Sequence, residues 1–192
     1  MMTKKQAEEM KMAYVIGIAG GTASGKSTLC EKLENQLPDL RVKSIHMDTF
    51  FKWGNFPKAV SHLSGKTYDD YNCPDTVKWD EFHHEFEQSV ADGYDVILVE
   101  GLLVLWDEYL KDKLDIRVFV DCLADERIVR RIRRNTARGM TFDEVAEFYL
   151  DMVRFRHEQY VEPTKWTADI IVNGSGQTDL ICDMLIHQCK TK

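Results

Sequence analysis

Nine consecutive residues, Gly20, Gly21, Thr22, Ala23, Ser24, Gly25, Lys26, Ser27 and Thr28, have the types and spacing needed to hold a polyphosphate. From Gly20 to Ser27 they follow G-x-x-x-x-G-K-[ST], with the apolar run YVIGIA before them and the helical run KSTLCEKLENQL after. Glycines in such a loop let successive N–H groups converge on phosphate oxygens, and the following helix adds the partial positive charge of its N-terminus. Lys26 is placed to reach the β- and γ-phosphates of a nucleoside triphosphate, and the Ser27 hydroxyl to ligate Mg²⁺.

Two acids narrow the chemistry. Val96-Ile97-Leu98-Val99-Glu100 reads as a buried strand ending in a carboxylate, the pattern of an acid held beside the cradle's Mg²⁺. Ile45-His46-Met47-Asp48 ends in the same way, so Asp48 is expected at the same rim as a proton acceptor for an attacking hydroxyl, or as a further metal ligand. Between Arg127 and Arg138 lie six arginines. At helical pitch Arg127, Arg130, Arg131, Arg134 and Arg138 share about 100° of arc, with Ile128, Val129 and Ile132 opposite. Such a stripe is either a solvated face or a clamp on transferred phosphoryl charge, with Arg131 and Arg134 the expected contacts. Phe50, Phe51 and Trp53 could wall a pocket next to Asp48.

The elements that must position these groups are legible as short Val/Ile-rich runs alternating with longer helical patterns. Strands are predicted at 14–19, 42–47, 96–99, 116–120 and 169–172, and helices at 26–37, 77–91, 125–137, 142–159 and 178–189. Strands without polar alternation belong in a parallel sheet covered on both faces, so the class is α/β. Thr141 and Glu144 have the spacing of a capping box. The chain is read as one domain over residues 1–192, with 1–12 a polar, frayed tail. A net charge of −7 argues against nucleic acid or an anionic membrane as partner. The most apolar run, Val96–Trp106, is too short to span a bilayer and contains Glu100. Cysteines at 30, 73, 122, 182 and 189 form no metal or redox spacing and suit free thiols in a reducing cytoplasm. Neither N-K-x-D nor D-x-x-G occurs, which disfavours a regulatory GTPase.

Taken together, GGTASGKSTL, HMDTFFK, YNCPDTVKWDEF, DVILVEGLLVLW, RRIRRNTARG and EPTKWTADIIVNG resemble the uridine kinase and phosphoribulokinase family of P-loop kinases, nearly end to end. The resemblance implies a three-layer sandwich on a five-stranded parallel sheet, and an arginine-bearing helical lid near 124–160. It implies ATP–Mg²⁺ as donor and a primary hydroxyl on a small metabolite as acceptor. Carried over by motif, Asp48 is the general base, Ser27 and Glu100 are Mg²⁺ partners, and Arg131, Arg134 and Arg138 belong to the lid. Phe51, Tyr68 and Asn72 are expected on the acceptor. The chain also departs from the pattern: Phe51 stands for a tyrosine, Asn72 for a ribose-binding aspartate, Met140 for an arginine and Phe148 for a glutamine. Uridine kinases insert a hairpin before the strand at 96, whose tyrosine and histidine contact the pyrimidine. Here Gln88 to Asp95 runs straight into that strand. The nucleoside expectation therefore comes with loose base reading. DTFFK is also similar to nicotinamide riboside kinases, which keeps that nucleoside, or a non-nucleoside alcohol, as the alternative. Several copies could assemble; the sequence leaves the homo-oligomer open.

Overall fold

The computed structural model describes residues 13–191; the tail expected at 1–12 lies outside the described residues. Five strands form one parallel sheet: β1 (Tyr14–Gly20), β2 (Val42–His46), β5 (Val96–Glu100), β6 (Ile116–Asp121) and β7 (Ile170–Asn173), in the order β2-β5-β1-β6-β7. Every residue of β1 and β5 is buried, as expected of strands sandwiched between helices. On one face, α1 (Lys26–Asn35) and α7 (Asp179–Thr191) bury Leu29, Leu33, Cys182 and Leu185 against Ile16, Ile18 and Leu98. On the other, α2 (Trp79–Ala91) and the turn-rich 101–111 segment, with the short helix α3 (Glu108–Lys111), bury Phe82, Phe86, Leu103 and Leu110 against Val15, Ile97 and Val99. All five cysteines are free and buried.

Neighbouring strands diverge at β1, which has β5 on one side and β6 on the other, so the crevice of this doubly wound sheet opens at its C-terminal end. Register aligns the functional ends: Ile18 pairs with Glu100, and Glu100 pairs with His46.

Two excursions leave the sheet. After β2, a 3₁₀ turn (Met47–Phe50) leads into a two-stranded hairpin, β3 (Lys58–Val60) and β4 (Thr67–Asp69), which the sequence reading did not foresee. The chain returns through a second 3₁₀ turn (Pro74–Thr76) and pairs back on itself, Lys52 N donating to the Thr76 carbonyl and Lys78 N to that of Phe50. Between α2 and β5 only residues 92–95 intervene, so no insertion lies there. The second excursion is α4 (Ala124–Thr136), followed by a return arm. The arm comprises α5 (Phe142–Phe148), α6 (Arg154–Arg156) and two wide π-turns at Tyr149–Val153 and His157–Val161. The Thr141–Glu144 capping box forms as expected.

Candidate active site

The phosphate loop joins β1 to α1. Gly25 begins α1 at φ 106°, a left-handed conformation that suits glycine, and no side chain caps this helix end. Its free N–H groups therefore remain available to an anion. Ala23 is also left-handed, at φ 59°, uncommon for a residue with a Cβ and held here by its surroundings. At Gly21 a Cβ would lie 2.7 Å from Arg127 Nη1 and 3.0 Å from His157 Nδ1, so glycine lets both ends of the arginine excursion pack beneath the loop. Ser24 is fully buried, and its backbone N–H turns back to the Gly21 carbonyl at 3.1 Å.

Glu100 sits directly against the loop. Its Oε1 accepts from Ser27 Oγ at 3.0 Å and lies 3.6 Å from Lys26 Nζ; its Oε2 is 3.0 Å from His46 Nδ1. Burial acts to raise the Glu100 carboxyl, yet Lys26 and the bonds from His46 and Ser27 hold it below its ordinary value. It is thus an anion beside a hydroxyl. No cluster of three or more His, Cys, Asp or Glu able to cage a metal occurs among the described residues. Ser27 Oγ and Glu100 Oε1, 3.0 Å apart, offer the one or two protein oxygens that Mg²⁺ takes when water and substrate phosphates complete its shell. His46 in this role had no sequence signal, since only the strand register brings it to Glu100.

Asp48 sits on the 3₁₀ turn just past β2, two residues beyond the strand's last residue, His46. It is open to the crevice, but the surrounding protein raises its carboxyl above the ordinary value; Lys26 opposes that rise and Glu100 adds to it. A carboxylate tuned upward is the better proton acceptor.

From the other side α4 lowers its arginines onto the loop. Arg131 Nη1 donates to Thr22 Oγ1 at 2.7 Å, and Arg134 Nη2 reaches the same oxygen at 3.3 Å. Burial and the nearby Arg134 pull the Arg131 guanidinium down to about 10; burial and Arg138 lower Arg134. Arg131 stays charged at neutral pH and is incompletely satisfied, its Nε having no partner among the described residues, while Arg134 Nε donates to Asn135 Oδ1 at 3.2 Å. Cations so placed favour a polyanion between them. The stripe is not uniform: Arg127 is buried and bonds the Cys122 carbonyl, while Arg130 holds Glu126 and the Gly174 carbonyl.

Two cavities meet at Lys26, Arg134 and Arg138. One, of 360 Å³, runs along Ala23, Gly25, Ser27, Thr28 and Arg130. The other, of 300 Å³, contains Thr22, Asp48 and Arg131, and its wall includes Phe51, Trp53, Tyr71, Asn72, Met140 and Phe148. A donor compartment and an acceptor compartment would share their cations in this way. Phe51 and Trp53 line the second cavity as anticipated, but Phe50 turns into the core against Phe82. Asn72 is 7% exposed, and its Nδ2 is buried without a partner among the described residues. Tyr68 is not on the cavity: its hydroxyl donates to Asp151 at 2.7 Å, and Tyr71 occupies the wall instead. Pro74 and Asp75, on the turn that follows, do not line it.

Residues 66–181 match the Phosphoribulokinase / Uridine kinase family. The chain belongs to that family. It is 35% identical to a uridine kinase of Clostridium botulinum (strain Okra / Type B1), covering 94% of this chain and 98% of that one. That comparison runs over 203 positions, more than the 192 residues here, so the relative carries segments that this chain lacks. A uridine kinase of Geobacillus kaustophilus is 34% identical over 94% of this chain and 95% of its own. The solved structure of a putative fructose transport system kinase from Silicibacter superposes with a TM-score of 0.62 at 16% identity, covering 83% of this chain and 89% of that one, which supports the fold. The protein is an ATP-dependent kinase of the uridine kinase family. No helix among the described residues is long and apolar enough to cross a membrane.

Proposed function

We propose that this kinase transfers the γ-phosphate of ATP to the 5′-hydroxyl of a nucleoside, uridine or cytidine first, with weak discrimination of the base. The single observation that carries the reading is the 300 Å³ cavity holding Asp48 between Lys26 and the Arg131–Arg134 pair. An alcohol in it meets a proton acceptor and the phosphate cradle together.

Asp48 accepts the proton of the attacking hydroxyl as that oxygen bonds the γ-phosphorus, and the bond to the β-phosphate bridging oxygen breaks to release ADP. Gly20 through Thr28 cradle the phosphates, with Lys26 on the β- and γ-groups. Arg131 and Arg134 offset charge on the transferred phosphoryl, and Arg138 extends the same positive wall. Ser27 and Glu100 would hold Mg²⁺, with Asp48 at its border. When bound, the ion neutralises phosphate charge and orients the donor. Phe51, Asn72 and Tyr71 contact the sugar.

Base discrimination is weak for a physical reason. Phe51, Trp53, Met140 and Phe148 give the outer wall few hydrogen-bonding groups, and nothing is inserted between α2 and β5. A hydrogen-bonding site rejects wrong partners by about 10⁴, whereas an apolar one manages about 10–200-fold. The one-domain reading and a cytoplasmic location accompany this proposal. The test is kcat/KM for uridine, cytidine, nicotinamide riboside and pantothenate on one preparation. Uridine and cytidine are expected to lead, within about 200-fold of nicotinamide riboside. Turnover of pantothenate alone would overturn the nucleoside assignment.

A further inference from the structure

The residue that shapes the acceptor cavity from behind is not in it. Asp70 is 1% exposed, and both its carboxylate oxygens are engaged: Oδ1 accepts from the Asn72 backbone N–H at 3.0 Å, and Oδ2 from Arg156 Nε at 2.6 Å. Its backbone is held too, its N–H by the Pro57 carbonyl at 2.8 Å and its carbonyl by the Thr76 hydroxyl. Arg156 lies on the return arm, steadied by Gln159 Oε1 at 2.7 Å. Asn72, at the far end of this chain of contacts, carries the buried, unpartnered Nδ2 on the cavity wall.

Other ties join the same two pieces of chain. Asp151 on the arm accepts from Tyr68 Oη at 2.7 Å and from Ser64 Oγ, and Glu147 pairs with Lys66 at 2.6 Å. Phe148 packs on Tyr68 and Tyr71. The acceptor segment 57–76 is therefore fastened to the arm that follows α4, the helix bearing Arg131 and Arg134. In the Asp70–Arg156 pair the carboxylate is buried and the guanidinium half-buried, and Asp70 stands two residues before the cavity-lining Asn72.

We infer that Arg156, acting through Asp70, is a positioning residue that sets Asn72 for the acceptor and couples the acceptor segment to the arginine-bearing excursion. This deepens, and rests on, the reading of the Asp48 cavity as the acceptor site. Breaking the pair strands a buried carboxylate, which relaxes by taking up water or by releasing the Asn72 amide. The acceptor side loosens, and the ATP cradle, built on β1 and α1, does not.

The experiment compares wild type, Arg156→Gln, Arg156→Lys and Asp70→Asn, with uridine as the acceptor probe. Arg156→Gln is expected to raise the KM for uridine on the order of 10- to 100-fold, the size of effect a misplaced contact produces, with the KM for ATP within about twofold. Arg156→Lys restores part of the loss. Asp70→Asn keeps an acceptor for the Asn72 amide and falls between, which keeps the idea testable if Arg156→Gln folds poorly. Hydrogen exchange on the ATP-bound proteins supplies a readout independent of turnover: segment 69–77 should lose protection in Arg156→Gln while 20–30 does not. Equal changes in both KM values, or unaltered protection at 69–77, would overturn the inference. Wild type that turns over no uridine, with exchange at 69–77 still responding to Arg156→Gln, would fault the nucleoside reading and leave the positioning role intact.

Discussion

The side chains at the site are defined by the groups they touch, and the expected variants follow from those neighbours. Asp48 stands beside the cradle without belonging to it, and the protein around it raises its carboxyl against Lys26. Asp48→Asn should cut kcat by about 10²–10⁴, the usual span for general acid–base help, with little change in the KM for ATP. Steady-state kinetics at saturating acceptor check this; a sharp rise in the KM for ATP with kcat preserved would make Asp48 a metal or structural group. Arg131 and Arg134 converge on Thr22, with no carboxylate bonded to either guanidinium among the described residues. Arg131→Ala or Arg134→Ala should slow single-turnover phosphoryl transfer, by as much as about 10³–10⁵, far more than it weakens acceptor binding. Unchanged single-turnover rates in both variants would return the stripe to a solvated face. Lys26, Ser27, Glu100 and Asp48 were all legible because each opens a helix, ends a strand or lies just past one at a recognisable spacing. His46 and Tyr71 were not, since register and loop closure, rather than local pattern, deliver them.

The elements were legible where they are long and periodic. All five sheet strands and the arginine helix lie within a residue or two of expectation: β1 and β5 bury continuous apolar runs, and the helix shows its pitch in the spacing of its arginines. The hairpin of β3 and β4 escaped notice because three residues are too few for alternation to show. Tyr68 was expected on the acceptor from the family resemblance, and the hairpin that carries it turns its hydroxyl to Asp151 instead. The return arm carries its own prediction. His157 is packed beside Arg127 and beneath Gly21, with Nε2 3.1 Å from Glu162 and Asp121 nearby. Burial and then Arg127 pull the imidazole down to about 4 from an ordinary 6.5, so it is neutral in the folded protein. A folded value below the unfolded one means the unfolded chain binds the proton first. The stabilisation is complete above about pH 6.5 and is lost as pH falls towards 4. Between pH 7 and 5 this group should cost about 2 kcal/mol, which His157→Gln would remove. Urea unfolding at both pH values measures it, with a shallower fall expected in the variant.

At the scale of the whole molecule, a parallel sheet opens a crevice at its C-terminal edge, and two excursions close over it from opposite sides. One brings the acceptor wall and the other the arginines, and the return arm fastens them together. The donor half was readable in the sequence because phosphate recognition uses backbone and a few obligatory side chains. The acceptor half was less so, because shape and apolar lining leave no fixed spacing. The central claim is that this crevice phosphorylates the primary hydroxyl of a ribose. The most direct measurement is phosphorus NMR of ATP, Mg²⁺ and enzyme with uridine, beside a matched reaction with 5′-deoxyuridine. The account predicts one new phosphomonoester signal, formed one for one with ADP, from uridine and none from 5′-deoxyuridine. ADP and inorganic phosphate released at the same rate in both, with no ester, would contradict it.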